Sequence, residues 1–293
     1  HINYEGKYYL ITTHERGLTY TDMILGRASE DNARNLFRIT NAYEMHEKNL
    51  QIPQILITKT ISEIYRQMPE EDLKKYDLLE KMHEYGYQDK DIHDMRFLLY
   101  FIDKSPNYSY YPDIWSDNLI FADKVTLLDT ENRGRAPVAM SLAQALNYYP
   151  QAPFNETEQY LHWFFTNVNQ EGEDMKNKPI DDFPRLKLEY AASTIYRALL
   201  NSRKKEVKED PWTANLILHT GIGAIEWFEN RRNSPLYEIE GFGESIAKVR
   251  TTIEKEMTER KEEIGPRYEE LYQRFGGNLF KRENVARNAY SYV

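Results

Sequence analysis

Asp113, Asn118 and Asp129 are the residues of this chain whose types and spacing best suit a chemical reaction. An aspartate is followed five residues later by an asparagine, and a second aspartate comes after two short apolar runs. Phosphoryl transfer from ATP needs a carboxylate that orients the attacking hydroxyl and accepts its proton. It also needs a carboxylate and an amide oxygen that hold Mg²⁺ against the phosphates. This stretch of sequence contains that set of groups.

The two apolar runs predict a small β-hairpin inside a helical region. The runs are Asn118–Phe121 and Val125–Leu128, and three residues join them. A hairpin of this size places Asn118 and Asp129 at neighbouring ends of paired strands, so both side chains can face one metal cluster. Asp113 is then one loop away.

The stretch Tyr111–Asn132 resembles the catalytic and metal-binding loops of the aminoglycoside phosphotransferase and choline kinase superfamily, which has a protein kinase-like fold. In that family the loop reads approximately His-Gly-Asp, four residues and Asn, followed by a hairpin and Ile-Asp-Trp/Phe-Glu. The resemblance implies that Asp113 is the catalytic base and that Asn118 and Asp129 bind the metal. It also implies a phosphotransferase that moves the γ-phosphoryl group of ATP to a hydroxyl acceptor, with ATP and Mg²⁺ as cofactors. The acceptor is not identified by the sequence.

The resemblance extends over roughly residues 5 to 150. Tyr8–Thr19 is similar to the hinge strand of the family and the glycine turn after it, where the nucleotide base bonds to backbone. The segment implied to lie near the adenine consists of Thr12, Thr13, His14 and Glu15. Asn32–His46 resembles the helix that follows the hinge, and Arg135–Leu146 resembles the core helix after the metal-binding aspartate.

The sequence departs from the family in three places. Tyr111 and Pro112 stand where the family usually has His and often Gly, and the insert before Asp113 is longer than usual. No glycine-rich phosphate loop and no strand with a phosphate-anchoring lysine precede Lys7. We therefore expect the N-terminal lobe to be largely absent from this chain, which is then part of a longer protein or is completed by another chain.

These departures motivate a rival hypothesis, a catalytically inactive kinase-fold module (a pseudokinase) that acts as an interaction scaffold. In both hypotheses the C-terminal helices are a candidate surface for a protein partner. A third alternative is an all-α scaffold unrelated to kinases, and it requires that residues 118–128 do not form a β-hairpin.

The composition excludes several classes of function. The 293 residues include no cysteine, so disulfides, thiolate metal sites and cysteine nucleophiles are ruled out. The net charge of −9 argues against non-specific binding of nucleic acid, which needs clustered basic residues. No apolar run approaches the length of a membrane span. We expect a cytoplasmic protein, with which the lack of disulfides is compatible.

Helical spacing of apolar residues dominates the rest of the chain. The expected fold class is mainly α with a small β component (α+β): a kinase-like C-terminal lobe over 1–204, with the hinge strand at its start, and a helical extension over 205–293. The predicted strand is Lys7–Thr13, and the predicted helices are 31–46, 54–68, 72–85, 96–103, 138–149, 156–169, 183–203, 211–231, 243–274 and a short tail helix.

Two Gly-x-Gly pairs do not fit a dinucleotide fingerprint, because neither has a preceding strand and a third glycine. Gly221-Ile-Gly223 is predicted to be a helix-packing site. Gly241-Phe-Gly243 is predicted to be a turn before a helix that starts near Glu244, and Gly265-Pro266 is predicted to break that helix.

Overall fold

The structure of the chain is a computed structural model. It describes residues 2–4, 7–9, 18–19, 51–67, 74–111, 119–121, 125–127, 134–147, 158–169, 179–208 and 211–266. No helix within these ranges combines the length and the apolar character that crossing a membrane requires.

Helices make up most of the described chain, which confirms the predicted fold class at the level of a mainly α protein with a small β component. In chain order they are α1 (Gln51–Gln67), α2 (Leu78–Glu84), α3 (Asp89–Asp94), α4 (Arg96–Asp103), α5 (Val138–Asn147), α6 (Glu158–Val168), α7 (Phe183–Ser202), α8 (Lys205–Lys208), α9 (Pro211–Glu229) and α10 (Phe242–Ile264). A 3₁₀ helix, Pro235–Glu238, precedes α10.

Short strands before the first described helix and between later helices form small antiparallel sheets. They are β1 (Ile2–Tyr4), β2 (Lys7–Tyr9), β3 (Leu18–Thr19), β4 (Tyr108–Tyr111), β5 (Leu119–Phe121), β6 (Val125–Leu127) and β7 (Gly134–Pro137). Strand β1 pairs with β2, and β4 pairs with β7. Strand β5 lies between β3 and β6.

Helix α7 is the centre of the core. Asp182 caps its first turn, with the Asp182 Oδ1 accepting from the backbone N–H of Arg185 at 2.9 Å. Every residue from Glu189 to Ser202 is buried, and the helix contacts α4, α5 and α9. A helix buried on all sides has no solvated face, so its polar side chains need partners inside the protein.

Helix α10 packs along α9 through an apolar stripe. Ile246, Val249 and Ile253 are buried at helical spacing, as the sequence predicts for an amphipathic helix. The cluster of core residues that contains them also contains residues of α1, α2, α4, α5, α6 and α7. Helices on both sides of residue 204 therefore share one core, and the predicted division into 1–204 and 205–293 stays a prediction.

The predicted roles of Gly221 and Gly241 are confirmed, but Gly243, predicted to belong to the turn, already lies inside α10, which begins at Phe242. A Cβ at Gly221 of α9 would lie 3.0 Å from both the Ala198 Cβ and the Ile253 Cδ1, so Gly221 lets α7 and α10 approach α9 closely. Gly241 has φ 79°, a left-handed conformation that favours glycine, and α10 begins at the next residue. At the other end, α10 stops at Ile264 before Gly265, where the sequence predicts a break.

The prediction of a helix over 72–85 is wrong at its N-terminal side. Helix α2 begins only at Leu78, because the Asp77 carboxylate accepts from the N–H groups of Leu79 and Glu80. The segment before it adds to the edge of β7 instead, with the Tyr76 N–H donating to the Arg135 carbonyl at 2.8 Å. The predicted helix 31–46, the tail after residue 266 and residues 10–13 of the predicted first strand lie outside the described residues.

Candidate functional site

The predicted site residues themselves fall outside the part of the chain that the structure describes. This applies to the candidate base Asp113, to the candidate metal ligands Asn118 and Asp129, and to the candidate adenine segment. The last of these comprises Thr12, Thr13, His14 and Glu15. Their roles stay predictions, but the strands on either side of each segment are described and limit how the segments are connected.

The predicted hairpin is confirmed. Strands β5 and β6 pair antiparallel, with Leu119 opposite Leu127 at one end and Phe121 opposite Val125 at the turn. We call this pair of strands the ribbon. It excludes the all-α alternative, which required that residues 118–128 do not form a β-hairpin. Asn118 precedes Leu119 directly, and Asp129 follows Leu127 by two residues. Both candidate metal ligands are therefore attached to the same end of the ribbon.

A second strand pair lies before and after the ribbon in the chain. Strands β4 and β7 pair antiparallel, with Tyr111 opposite Gly134. The chain leaves this pair at Tyr111, enters the ribbon at Leu119, leaves it at Leu127 and returns to Gly134. Residues 112–118 and residues 128–133 therefore connect the same two strand pairs. We call these two connections the paired loops.

The paired loops contain every residue that the sequence singles out for catalysis or metal binding. Asp113 and Asn118 belong to the first loop, and Asp129 belongs to the second. Strands β4 and β7 are not among the elements predicted from the sequence, so the closure is a finding of the structure alone. The signal for β4 is the run Tyr-Ser-Tyr-Tyr over 108–111, since aromatic residues favour strands. The segment Gly-Arg-Ala-Pro of β7 carries no comparable signal.

The short strand β3 borders the same ribbon. Leu18 lies opposite Phe121 and Thr19 lies opposite Ile120, so β3 is the neighbour of β5. The candidate adenine segment ends at Glu15, three residues before Leu18. The sheet therefore joins the segment that resembles a nucleotide hinge to the ribbon that borders the paired loops, although more than ninety residues separate them in sequence.

A buried polar cluster holds the far end of the β4–β7 pair. The Glu189 carboxylate of α7 accepts from the Ser105 hydroxyl at 2.7 Å and from the Arg185 Nε at 2.9 Å. The guanidinium of Arg185 also donates to the Lys104 carbonyl. Burial raises the pKa of Glu189, and the hydrogen bonds from Ser105 and Arg185 oppose that shift.

The exposed side of this strand pair is basic and aromatic. The Lys75 Nζ lies 2.6 Å from the Asp103 Oδ1, and this hydrogen bond lowers the pKa of Asp103 and raises that of Lys75. Lys75 and Arg135 also lie over the Tyr108 ring, with the cationic groups 5.3 Å and 5.0 Å from its centroid. Such contacts are cation–π interactions, which fix the ring at the start of β4.

A small polar cavity between α5, α7 and α9 is not a nucleotide site. Its volume has room for about one water molecule. It is lined by Ala143, Gln144, Thr194, Arg197, Ala198, Asn201, Ile217 and Thr220. The buried Asn201 Oδ1 has no hydrogen-bond partner among the residues that the structure describes.

The residues that the structure describes contain no group of three or more histidine and acidic side chains that could hold a metal ion. The paired loops lie outside these described residues. Comparison of the chain with protein-family models, with curated proteins and with solved structures finds no match.

Proposed function

We propose that the chain is a kinase-like phosphotransferase lobe that transfers the γ-phosphoryl group of ATP to a hydroxyl acceptor, with Mg²⁺ bound at the paired loops. The proposal rests on the resemblance of Tyr111–Asn132 to the phosphotransferase loops and on one structural observation. That observation is the closure of residues 112–118 and 128–133 between the same two strand pairs.

The closure supports the proposal because it limits how far apart the candidate groups can be. Residues 112–118 join β4 to β5, and residues 128–133 join β6 to β7, so the two connections are only seven and six residues long. Strand β4 pairs with β7, and β5 pairs with β6, so the ends of the two connections are held next to each other. Asn118 is one residue from Leu119 and Asp129 is two residues from Leu127, and the pairing of Leu119 with Leu127 supports their proximity. Groups that act on a single phosphate need this proximity.

The chemical character of the loop residues fits magnesium. Mg²⁺ takes oxygen ligands, commonly one or two carboxylates together with phosphate oxygens. The carboxylate of Asp129 and the amide oxygen of Asn118 are such ligands, and their loops border the same end of the ribbon. When bound, Mg²⁺ neutralises negative charge on the β- and γ-phosphates.

The other two tasks, proton transfer and binding of the adenine, fall to groups of this chain. Asp113 would accept the proton of the acceptor hydroxyl as that oxygen bonds to the γ-phosphorus, while the bond between the γ-phosphorus and the β–γ bridging oxygen breaks and ADP leaves. Backbone groups of residues 12–15 would bind the adenine, and the pairing of β3 with β5 supports their proximity to the ribbon. The hydroxyl compound that serves as the acceptor is left open by the proposal.

The direct test is thermal stabilisation of the chain by ATP·Mg²⁺. A ligand that binds only the folded state adds RT ln(1+[L]/Kd), about 2.7 kcal/mol at a hundredfold excess over Kd. We expect stabilisation of the unmodified chain and its loss in Asp129→Ala. Asp123→Ala is the matched control and is expected to leave stabilisation unchanged, because in sequence Asp123 lies between Phe121 and Val125, the ends of β5 and β6 opposite to those nearest Asn118 and Asp129.

The same assay separates binding from chemistry. Asp113→Asn is expected to retain stabilisation by ATP·Mg²⁺ and to lower the rate of phosphoryl transfer by about 10²–10⁴-fold, the usual contribution of a general base. An unmodified chain that is not stabilised by ATP·Mg²⁺ would instead support the inactive scaffold. Equal stabilisation of the Asp129→Ala variant would remove Asp129 from the metal site.

A further inference from the structure

Glu189 is a fully buried carboxylate that the proposed chemistry does not use. It lies in α7 with 1% of its surface exposed. Its Oε2 accepts from the Ser105 hydroxyl at 2.7 Å, and its Oε1 accepts from the Arg185 Nε at 2.9 Å. Burying a carboxylate is costly unless it is paired and hydrogen-bonded, and Glu189 has one cationic and one neutral donor.

The groups that contact Glu189 also hold the turn between α4 and β4. The Ser105 hydroxyl oxygen accepts from the Asn107 N–H at 3.1 Å, and the Arg185 guanidinium donates to the Lys104 carbonyl. One carboxylate therefore orients both a side chain and, through arginine, a backbone carbonyl of the same turn. The turn is fixed from two directions.

This turn also fixes β4 and β7, the two strands that lead to the paired loops. Strand β4 begins at Tyr108, directly after the turn and opposite Pro137. The Asn107 carbonyl accepts from the N–H of Val138, the first residue after β7, at 2.8 Å. The Tyr108–Pro137 end of the strand pair is thus tied to α7, and the Tyr111–Gly134 end opens into the paired loops about 10 Å away.

We propose that Glu189 is a positioning residue that, through Ser105 and Arg185, sets the place of the β4–β7 pair, from whose other end the chain continues to Asp113 and Asp129. This inference rests on the proposed phosphotransferase function for its catalytic consequence. Its structural part, the dependence of β4 and β7 on Glu189, does not rest on that function.

The test compares Glu189→Gln with the unmodified chain in two measurements. The first is hydrogen exchange of the backbone amides of β4 and β7, which we expect to become at least tenfold faster in the variant. The second is formation of ADP from ATP·Mg²⁺. We expect the maximal rate to fall about tenfold or more while the KM for ATP changes less than twofold, because β2 and β3, the strands before and after the candidate adenine segment, belong to sheets other than that of β4 and β7.

Glu229→Gln is the matched control for loss of stability alone. Glu229 on α9 also forms an ion pair between helices, with its Oε2 2.6 Å from the Arg250 Nη1, and its ion-pair partners Arg250 and Arg232 belong neither to the turn nor to β4. We expect this variant to leave both the exchange of β4 and the maximal rate unchanged. If Glu189→Gln does not fold, Ser105→Ala removes only the hydroxyl that links the carboxylate to the turn and is expected to show the same two effects more weakly.

The outcomes separate the two proposals. Unchanged exchange at β4 and β7 in Glu189→Gln overturns the positioning role, whether or not the chain binds ATP. Faster exchange with an unchanged maximal rate overturns its catalytic consequence. An unmodified chain that neither binds nor turns over ATP·Mg²⁺, but in which Glu189→Gln still loosens β4, overturns the phosphotransferase function and leaves the structural dependence standing.

Discussion

Arg203 and Glu256 form a partly buried ion pair, with the arginine Nη2 2.5 Å from the glutamate Oε1. The pair links the C-terminal end of α7 to α10, across the boundary at residue 204 that the sequence predicts. The Arg203 guanidinium also lies over the Tyr87 ring, 3.6 Å from its centroid, and donates to the Tyr85 carbonyl at 3.3 Å. One arginine therefore connects the α2–α3 turn, α7 and α10.

Replacing Glu256 by alanine is expected to destabilise the fold by about 3 kcal/mol, because it leaves the Arg203 charge without its main partner. Urea or thermal unfolding measures the effect. Glu259→Ala is the control on the same helix. Glu259 is exposed and lies 3.9 Å from Lys255, so its loss is expected to cost less than about 1 kcal/mol. Equal losses in the two variants would contradict the special role of Glu256.

A larger side chain at Gly221 is expected to separate three helices. In Gly221→Leu the new Cβ would already lie 3.0 Å from Ala198 and Ile253, so α7, α9 and α10 must move apart. We expect a loss of about 1–3 kcal/mol or more in the free energy of unfolding. The matched change Ala247→Leu on the exposed side of α10 should alter it by less than about 0.5 kcal/mol.

The pairing of β3 with β5 predicts a specific cross-link. The chain has no cysteine, so Thr19→Cys combined with Ile120→Cys introduces only two thiols, at directly opposed positions of the sheet. Opposed positions have Cα separations compatible with a disulfide. We expect the oxidised double variant to migrate faster on a non-reducing gel and to lose two mass units.

The control for this cross-link is Thr19→Cys combined with Phe121→Cys. Adjacent residues of a strand point to opposite faces of a sheet, so the shift by one position should prevent the disulfide. Efficient oxidation of both pairs would indicate that residues 18–19 slide along β5 and would argue against a fixed junction between the adenine segment and the ribbon.

The pH dependence of stability should report the burial of Glu189. Burial raises its pKa in the folded chain, so the folded state binds a proton more tightly there than the unfolded state does. The contribution of this group to stability therefore increases as the pH falls from above the folded pKa towards the ordinary value of 4.5. We expect the difference in unfolding free energy between the unmodified chain and Glu189→Gln to move in favour of the unmodified chain over that range.

Asp103 provides the opposite case. The hydrogen bond from Lys75 lowers its pKa below 3.8, so its contribution is present above that value and is lost as the pH falls through the folded pKa. The advantage of the unmodified chain over Asp103→Asn should therefore disappear in acid. Measuring the unfolding free energy of Glu189→Gln and Asp103→Asn across one pH series tests both directions of pKa shift. If the two variants differ from the unmodified chain by amounts that change with pH in the same direction, the opposite pKa shifts of Glu189 and Asp103 are contradicted.

The sequence by itself determines where most of the helices lie. The apolar spacing of Ile246, Val249 and Ile253 predicts α10 and the face that it buries. The apolar runs that end at Phe121 and begin at Val125 predict the ribbon. These features are local: a periodic pattern and a short turn specify an element within a few residues, whatever the rest of the chain does.

Only the tertiary structure decides which elements meet. The pairing of Tyr111 with Gly134, which closes the paired loops, carries no local signal in β7. The hydrogen bond between Ser105 and Glu189 joins residues 84 positions apart, and nothing in either neighbourhood specifies the other. Such contacts depend on the packing of α7 against α4 and α5, because a strand edge or a buried carboxylate can be satisfied by many partners and the fold selects one.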